Sequence, residues 1–254
     1  MRLISFTFAT LLALSGHVAA DAAKPDIIEA ALANPQRSQA DRDRDARDQP
    51  LAVLKLAGFG PGMTIADIFG GGGYYSEILD QVVGADGQVL LINNPAYDAY
   101  ARKDLAVRLA NNRLPMVAYR VLPTTDLALG VATLDGALIV LSYHDLYVDD
   151  PKQGWPLPDA SQFIDQIATA LKPGGTLLIV DHAAVKGSGM DAATPLHRID
   201  EAFAIADFKA HGLELAGSIP NLRNKKDDRS LNVFNAAIRG KTDRFVHIYR
   251  KKAD

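Results

Sequence analysis

Short apolar runs alternate with helical stretches along most of the chain. Five runs have the length and composition of buried strands, at residues 64–68, 88–92, 116–121, 134–141 and 176–180. Helices are predicted between them, at residues 75–83, 96–111 and 161–171. Because strands that alternate with helices form a parallel sheet covered on both faces, the pattern predicts a three-layer α/β fold.

The later part of the chain adds a helix at 196–211 and strands at 213–219 and 244–249. The fold class predicted is therefore α/β, with a Rossmann-like, doubly wound, mostly parallel sheet of seven strands. Helices at 22–33 and 50–57 precede the first strand, and residues 38–48, which mix both charge signs, predict a solvated helical lead-in. We expect a single domain over residues 21–254, with an N-terminal helical extension at about 22–57.

Residues 1–20 have the pattern of a secretory signal peptide. Arg2 precedes an apolar run at 3–14, and Val18-Ala19-Ala20 offers small residues for cleavage. The sequence contains no cysteine, which excludes a lipid-acceptor cysteine, disulfides and thiolate metal sites. We expect a periplasmic or secreted protein without a membrane anchor; the alternative is an ordinary apolar first helix.

The charge balance favours a small-molecule partner. The net charge is −3, and the lysines and arginines are spread along the chain. A nucleic-acid-binding surface needs clustered basic residues, so no nucleic-acid partner is expected.

The most informative motif follows the first predicted strand. That strand carries Asp67, and Phe69 leads into four consecutive glycines, Gly70 to Gly73, before a helix begins. A glycine turn at a helix N-terminus lets a ligand approach the backbone closely and meet the positive end of the helix dipole. The motif predicts a nucleotide-like ligand site, although glycines also serve to pack a helix against a strand.

This motif resembles the first motif of the class I S-adenosylmethionine-dependent methyltransferases. Two further stretches are similar to that family, residues 135–145 to its fourth strand and residues 171–181 to its fifth. Together with residues 196–200, they are most similar to a signal-bearing bacterial group of predicted methyltransferases. The resemblance implies S-adenosylmethionine as cofactor, methyl transfer to a small molecule, and cofactor binding by the residues Asp67, Phe69, Gly70, Gly71, Gly73, Tyr75, Asn93 and Asn94.

Two positions depart from the family pattern. Phe69 stands where the family has its first glycine, so we expect the turn to hold a side chain with negative φ. Asn93 and Asn94 follow the second strand, where the family has a carboxylate that accepts both ribose hydroxyls. A neutral amide makes a weaker hydrogen bond than a carboxylate, and the exchange is expected to cost about 1 kcal/mol of binding.

Three histidines fall at the carboxyl edge of the predicted sheet, where open α/β sheets bind ligands. His144 follows the fourth strand, His182 follows the fifth and His197 opens the next region. An oxygen or nitrogen nucleophile loses a proton during methylation, and a histidine suits that role as general base. We expect His144 first and His182 second in this role, and no metal, because the histidine spacing matches no compact metal motif. Zinc or iron held by these histidines and nearby aspartates is the alternative.

Two further residues are candidates for substrate binding. Arg198 can hold a carboxylate or phosphate through its guanidinium, and Asp200 can orient it. A plain ion pair at a helix start explains the same residues equally well. The tyrosine at position 75 either lines the cofactor or packs in the core.

Two functions from different classes remain open on the sequence. The first is a methyltransferase that acts on a small molecule; the predicted export would send it away from the cytosol, where the cofactor is made. The second is an exported, non-catalytic ligand-binding module that retains the fold, which the neutral end of the second strand favours.

Overall fold

The computed structural model describes residues 26–151, 155 and 157–252. The predicted signal segment, residues 1–20, lies outside this range, as does the start of the helix expected at 22–33. Cleavage of the signal therefore stays a prediction. None of the helices in the described range is long and apolar enough to cross a membrane.

Seven strands form one sheet in the order β3-β2-β1-β4-β5-β7-β6. In chain order they are β1 (Thr64–Ile68), β2 (Gln88–Asn93), β3 (Val117–Val121), β4 (Leu134–Val140), β5 (Leu171–His182), β6 (Leu213–Ser218) and β7 (Arg244–Lys251). The first five strands pair in parallel, and β7 runs antiparallel between β5 and β6. The prediction of a mostly parallel, seven-stranded Rossmann-like sheet is confirmed.

Helices cover both faces of the sheet, which makes three layers. They are α1 (Ile27–Leu32), α2 (Gln39–Asp48), α3 (Pro50–Ala57), α4 (Tyr74–Val83), α5 (Pro95–Arg108), α6 (Ala160–Ala170), α7 (Ala193–Leu196) and α8 (Glu201–Ala210). Apolar residues of α1, α3 and α4 share one buried cluster, and those of α6 and α8 share a second cluster on the opposite face. Side chains alternate between the faces along each strand, so one run of apolar residues supplies both clusters.

The helix predicted at 196–211 is interrupted. The short helix α7 ends at Leu196, and His197 adopts the left-handed conformation with φ +53°. Ile199 then pairs with the chain beyond β5, because its N–H donates to the carbonyl of His182 over 3.0 Å. Asp200 caps the new helix α8 by accepting from the Ala202 N–H at 2.9 Å. The apolar spacing continues through this break, which is why the sequence does not reveal it.

Helix α2 is not the solvated lead-in expected from its composition. Two of its aspartates, Asp41 and Asp48, are buried. Asp48 forms ion pairs with Arg44 at 2.5 Å and with Arg244 of β7 at 2.8 Å. Alternating charges on a helix are usual on a solvated face, but here they bind the helix to the domain.

The Asp48 ion pairs generate a stability prediction. Burial by itself raises the pKa of Asp48, but the Arg47 hydrogen bond and the charges of Arg44 and Arg244 hold it well below its ordinary value. Asp48→Asn leaves the buried Arg244 guanidinium without a counter-charge and should lower the free energy of unfolding by about 3 kcal/mol at pH 7. Since the pKa is lowered on folding, this difference should persist down to about pH 4 and shrink only in stronger acid.

Urea unfolding followed by circular dichroism measures the change. Asp43→Asn is the matched control, because Asp43 is exposed on the same helix. It should alter the free energy of unfolding by less than about 0.5 kcal/mol. Equal effects of the two substitutions would show that the buried ion pairs do not stabilise the fold.

Candidate functional site

A residue with left-handed backbone conformation directly follows each of the strands β1 and β4. Phe69 follows β1 with φ +54°, and Leu141 follows β4 with φ +59°. Each still extends the sheet, because the Phe69 N–H donates to Ile92 and the Leu141 N–H to Val180, both over 2.7 Å. A left-handed residue other than glycine costs about 1–2 kcal/mol, and such strain is concentrated at functional sites. The two sharp turns lie where the strand order reverses, the usual ligand position in such sheets.

The prediction of a negative φ at Phe69 is wrong, and the packing of its ring gives the reason. The ring stacks on Tyr97 at a centroid distance of 4.9 Å and on Phe163 at 5.2 Å, with Trp155 at 6.1 Å. Stacked and edge-on aromatic pairs at these distances are favourable. The buried aromatic cluster offsets the backbone strain, so Phe69 is a packing residue above the carboxyl end of β1.

The glycines of the turn have different roles. A Cβ on Gly70 would lie 2.5 Å from Leu91 and 2.6 Å from the Asp67 carboxyl, so glycine is required there for packing. Gly73 precedes α4 with φ +78°, and a Cβ there would lie 3.1 Å from Arg108. Gly71 is the open position, since a Cβ there would meet no atom within 4 Å among the described residues. Of the three predicted cofactor-binding glycines, Gly71 is the one whose face is accessible to a ligand.

Asp67 lies beneath the glycine turn and is buried. Its Oδ2 accepts a hydrogen bond from the Ser76 hydroxyl at 2.6 Å. Burial raises the pKa of Asp67 to about 6, because the charged form loses its hydration. The carboxyl group therefore supports the turn and the start of α4 from below.

The two asparagines after β2 are both engaged within the protein. The Asn93 amide donates to the Gly71 carbonyl and accepts from the Gly71 N–H, each at 3.0 Å. Asn94 caps α5 by accepting from the Tyr97 N–H at 2.8 Å. Both amide oxygens already accept a backbone hydrogen bond, and each has one further lone pair; ribose binding by these residues stays a prediction.

Tyr75 packs in the core rather than at the strand edge. It is buried, and its hydroxyl finds no hydrogen-bond partner among the described residues. Burial raises the pKa of this phenol well above its ordinary value. The neighbouring Tyr74 donates to Asp45 of α2 at 2.6 Å, so both tyrosines join α4 to the rest of the domain.

The three predicted histidines come together at the carboxyl edge of β4 and β5. The ring centroid of His144 lies 5.9 Å from that of His182 and 5.4 Å from that of His197. His144 opens a 3-10 turn in the segment that follows β4, and His182 ends β5. Pairing of Ile199 with the chain beyond β5 brings His197 to the same place. The cluster predicted from the positions of these residues is therefore present in space.

His144 lies between two carboxylates. Its Nδ1 is 2.8 Å from Asp181 Oδ1, and its Nε2 is 3.2 Å from Asp145 Oδ1. Burial by itself lowers the pKa of His144, but the two carboxylates outweigh burial and raise the pKa to about 9. Both ring nitrogens of His144 therefore carry a proton at neutral pH, and this imidazolium form is a poor proton acceptor.

His182 has the opposite character. Burial, together with the charges of His144 and Arg244, lowers the pKa of His182 well below its ordinary value. Its Nδ1 lies 2.7 Å from the Thr242 hydroxyl. When Nδ1 donates to this hydroxyl, Nε2 carries the lone pair of a neutral imidazole. His182 is thus the histidine better suited to accept a proton at neutral pH.

Solved structures with a similar fold are methyltransferases and proteins that resemble them. A SAM-dependent methyltransferase from Aquifex aeolicus is similar to the chain with a TM-score of 0.57 and 19% identity, over 79% of this chain and 88% of that one. The chain has the Rossmann-like methyltransferase fold. The sequence itself matches no family model and no curated protein.

Two other similar structures show how varied proteins with this methyltransferase fold are. The 1,6-didemethyltoxoflavin-N1-methyltransferase of Burkholderia thailandensis, solved with S-adenosylhomocysteine bound, has a TM-score of 0.50 and 18% identity, over 84% of this chain and 79% of its own. The cyclase SpnF has a TM-score of 0.57 and 16% identity, over 85% and 82%. The fold is thus shared by proteins of different chemistry, and the site must decide the function.

Arg198 is not available to a substrate, contrary to the prediction. It is fully buried, and its guanidinium makes a two-pronged ion pair with Asp227 at 2.9 and 3.1 Å. It also donates to the carbonyls of Ala183 and Leu231. These four hydrogen bonds hold the 221–230 loop against the chain beyond β5, so the role of Arg198 is structural.

Asp200 does not orient Arg198 either. Besides capping α8, its Oδ2 accepts from the Gly187 N–H at 2.5 Å. A carboxylate at a helix start compensates both the free N–H groups and the helix dipole. Asp200 thereby ties the 187–189 turn to α8.

Sequence reasoning missed Asp145, Tyr97 and Trp155. Asp145 lies between His144 and His197; its Oδ2 accepts from the Tyr97 hydroxyl at 2.5 Å and its carbonyl accepts from Trp155 Nε1 at 2.9 Å. The position of Asp145, one residue after a predicted catalytic histidine, is the signal that could have found it. Tyr97 lies inside a predicted helix, and nothing in its spacing distinguishes it.

The roles of the two asparagines lead to a matched pair of substitutions. Asn93→Asp removes the donor to the Gly71 carbonyl and places a carboxylate against that oxygen, so it should lower the free energy of unfolding by about 1–3 kcal/mol. Asn94→Asp should leave stability nearly unchanged, because aspartate caps a helix as well as asparagine does. Urea midpoints at pH 7 compare the variants. A larger loss for Asn94→Asp would contradict the assignment.

Proposed function

We propose that this protein binds S-adenosylmethionine at the glycine turn and transfers its methyl group to a small molecule at the histidine cluster. The observation that carries the proposal is the open face of Gly71, which lies at the same strand edge as the clustered histidines. S-adenosylmethionine supplies a methyl group already activated on a positively charged sulfur. The chain has to bind the two reactants, align them and take up a proton.

The glycine turn fits a ligand that approaches the backbone closely. Gly71 has φ +56°, and the space that a Cβ would occupy there holds no protein atom within 4 Å. Helix α4 begins three residues later, so the positive end of its dipole faces the same turn. Asn93 and Asn94 each keep only part of their accepting capacity for the ribose hydroxyls of a nucleoside, because each amide oxygen already accepts a backbone hydrogen bond.

We assign the proton-accepting role to His182. It is the neutral member of the cluster, whereas His144 already holds a proton between Asp181 and Asp145. The hydrogen bond that His182 Nδ1 donates to the Thr242 hydroxyl fixes the direction of the ring and leaves the lone pair on Nε2. This assignment reverses the order expected from the sequence and follows from the number of carboxylates around each ring.

The second candidate is a binding module without catalysis. The closure of Asn93 on Gly71 and the packing of the Phe69 ring beside the turn favour it, because both narrow the region where a nucleoside would lie. The protein would then keep the fold and recognise a different small molecule.

We further propose that the mature protein acts in the periplasm or the medium. The support is the sequence of residues 1–20, with its apolar run and its small residues before Asp21. Export would require the cofactor to be supplied outside the cytosol.

Gly71→Ala tests the cofactor site. The added methyl group occupies the open face, so the dissociation constant for S-adenosylhomocysteine should rise about tenfold or more, which corresponds to about 1.4 kcal/mol. Isothermal titration calorimetry measures the affinity.

Gly62→Ala is the control for backbone strain. Gly62 has φ +76°, and a Cβ there also meets nothing within 4 Å, but it lies before β1 at the opposite edge of the sheet. It should bind the ligand as the wild type does. If the wild type binds neither S-adenosylmethionine nor S-adenosylhomocysteine at millimolar concentration, the binding-module alternative is favoured.

His182→Gln tests the proton acceptor. With radiolabelled S-adenosylmethionine and a set of small oxygen and nitrogen acceptors, turnover should fall by about 100-fold or more. The affinity for S-adenosylhomocysteine should not change, because His182 is the last residue of β5 whereas the glycine turn follows β1. His211→Gln, at the far end of α8, should keep full turnover. Unchanged turnover in His182→Gln would disprove the assignment.

A further inference from the structure

Three potential metal ligands converge beside β4. Asp145 Oδ1 lies 3.2 Å from His144 Nε2 and 3.5 Å from His197 Nδ1. One ligand atom from each residue lies within 4.8 Å of the other two. The residues come from two separate segments, which pairing of the chain beyond β5 with Ile199 brings together.

Two of the three separations match those of ligands that share one ion. Nitrogen and oxygen ligands lie about 2.0–2.2 Å from a first-row metal, so neighbouring ligands in an octahedral or tetrahedral site are about 2.8–3.6 Å apart. Both distances from Asp145 Oδ1 fall at these values.

The outer atoms of these ligands are held by other parts of the protein. His144 Nδ1 is 2.8 Å from Asp181 Oδ1, and a carboxylate behind a histidine fixes the ring so that its other nitrogen faces the metal. The second oxygen of Asp145 accepts from the Tyr97 hydroxyl, which leaves Oδ1 directed toward the histidines. Hydrogen bonds of this kind, made to the outer atoms of the ligand side chains, are typical of protein metal sites.

We propose that His144, Asp145 and His197 bind a first-row divalent metal ion such as zinc or iron(II), which takes the place of the proton on His144 Nε2. Two imidazoles and one carboxylate suit these ions better than calcium or magnesium. Three protein ligands leave at least one coordination position for water or substrate, as in catalytic sites. The side chains of Asp145 and His197 are 14% and 25% exposed, so the open side can be reached from solvent. The proposal does not rest on methyl transfer.

Cobalt(II) and zinc titration of the full chain tests the site. The protein is first stripped of metal with a chelator, and binding is followed by the visible absorption of cobalt(II) and by calorimetry with zinc. We expect one ion per chain. His197→Gln removes a ligand that is partly exposed, so the variant should fold, and its zinc affinity should fall by about 100-fold or more. Tyr97→Phe keeps all three ligands but removes the support of Asp145, and affinity should fall by about tenfold.

His211→Gln is the matched control. His211 also faces two carboxylates, with Nδ1 2.7 Å from Asp165 and Nε2 3.9 Å from Asp207, but it lies after α8, away from the cluster. Its loss should leave the affinity and the cobalt spectrum unchanged. Equal binding by wild type and His197→Gln, or an equal loss in His211→Gln, would overturn the proposal. Because no S-adenosylmethionine is present, failure of the proposed methyl transfer would not affect the result.

Discussion

The candidate site depends on the buried carboxylate of Asp181. Its two oxygens accept hydrogen bonds from the backbone N–H of His144 and of His182, at 2.8 and 2.7 Å, and contact His144 Nδ1 at 2.8 Å. The His144 N–H lies beyond the end of β4, and the His182 N–H belongs to the last residue of β5. A buried N–H without a partner is costly, so the carboxylate makes the sharp turn after Leu141 possible. The same interaction fixes the chain path and the direction of the His144 ring.

The glycine turn is held in a comparable way by side chains of the neighbouring helices. Arg108 of α5 donates to the Gly72 carbonyl at 2.6 Å and forms ion pairs with Glu77 of α4 and with Asp41 of α2. The N-terminal helices are therefore part of the support of the turn and not an appendage. Arg108 thus fixes the backbone of the turn, while a Cβ on Gly71 would meet no described atom within 4 Å.

The sequence predicted the fold well and the contacts of the site less well. Strands such as β1 and β4 are short apolar runs that end at turns, and burial on both faces leaves them few alternatives. The position of a histidine after a strand likewise follows from topology. The hydrogen-bond partners of Asn93 and Arg198 do not follow from topology, because these partners are backbone groups and a carboxylate of distant segments. The φ of Phe69 depends on the aromatic rings around it, and spacing along one strand does not encode them.

Tyr97 joins the two halves of the site. Its ring stacks on Phe69 beside the glycine turn, and its hydroxyl donates to Asp145 beside the histidines. Burial and the charge of Asp145 raise the pKa of this phenol well above its ordinary value, so it stays a donor. The Tyr97 N–H is in turn bound by Asn94, which fixes the start of α5. A ligand that displaces Phe69 would therefore move Tyr97 and, through it, the carboxylate that lies between His144 and His197. The ring beside the glycine turn and the carboxylate beside the histidines are thus joined by the contacts of one side chain.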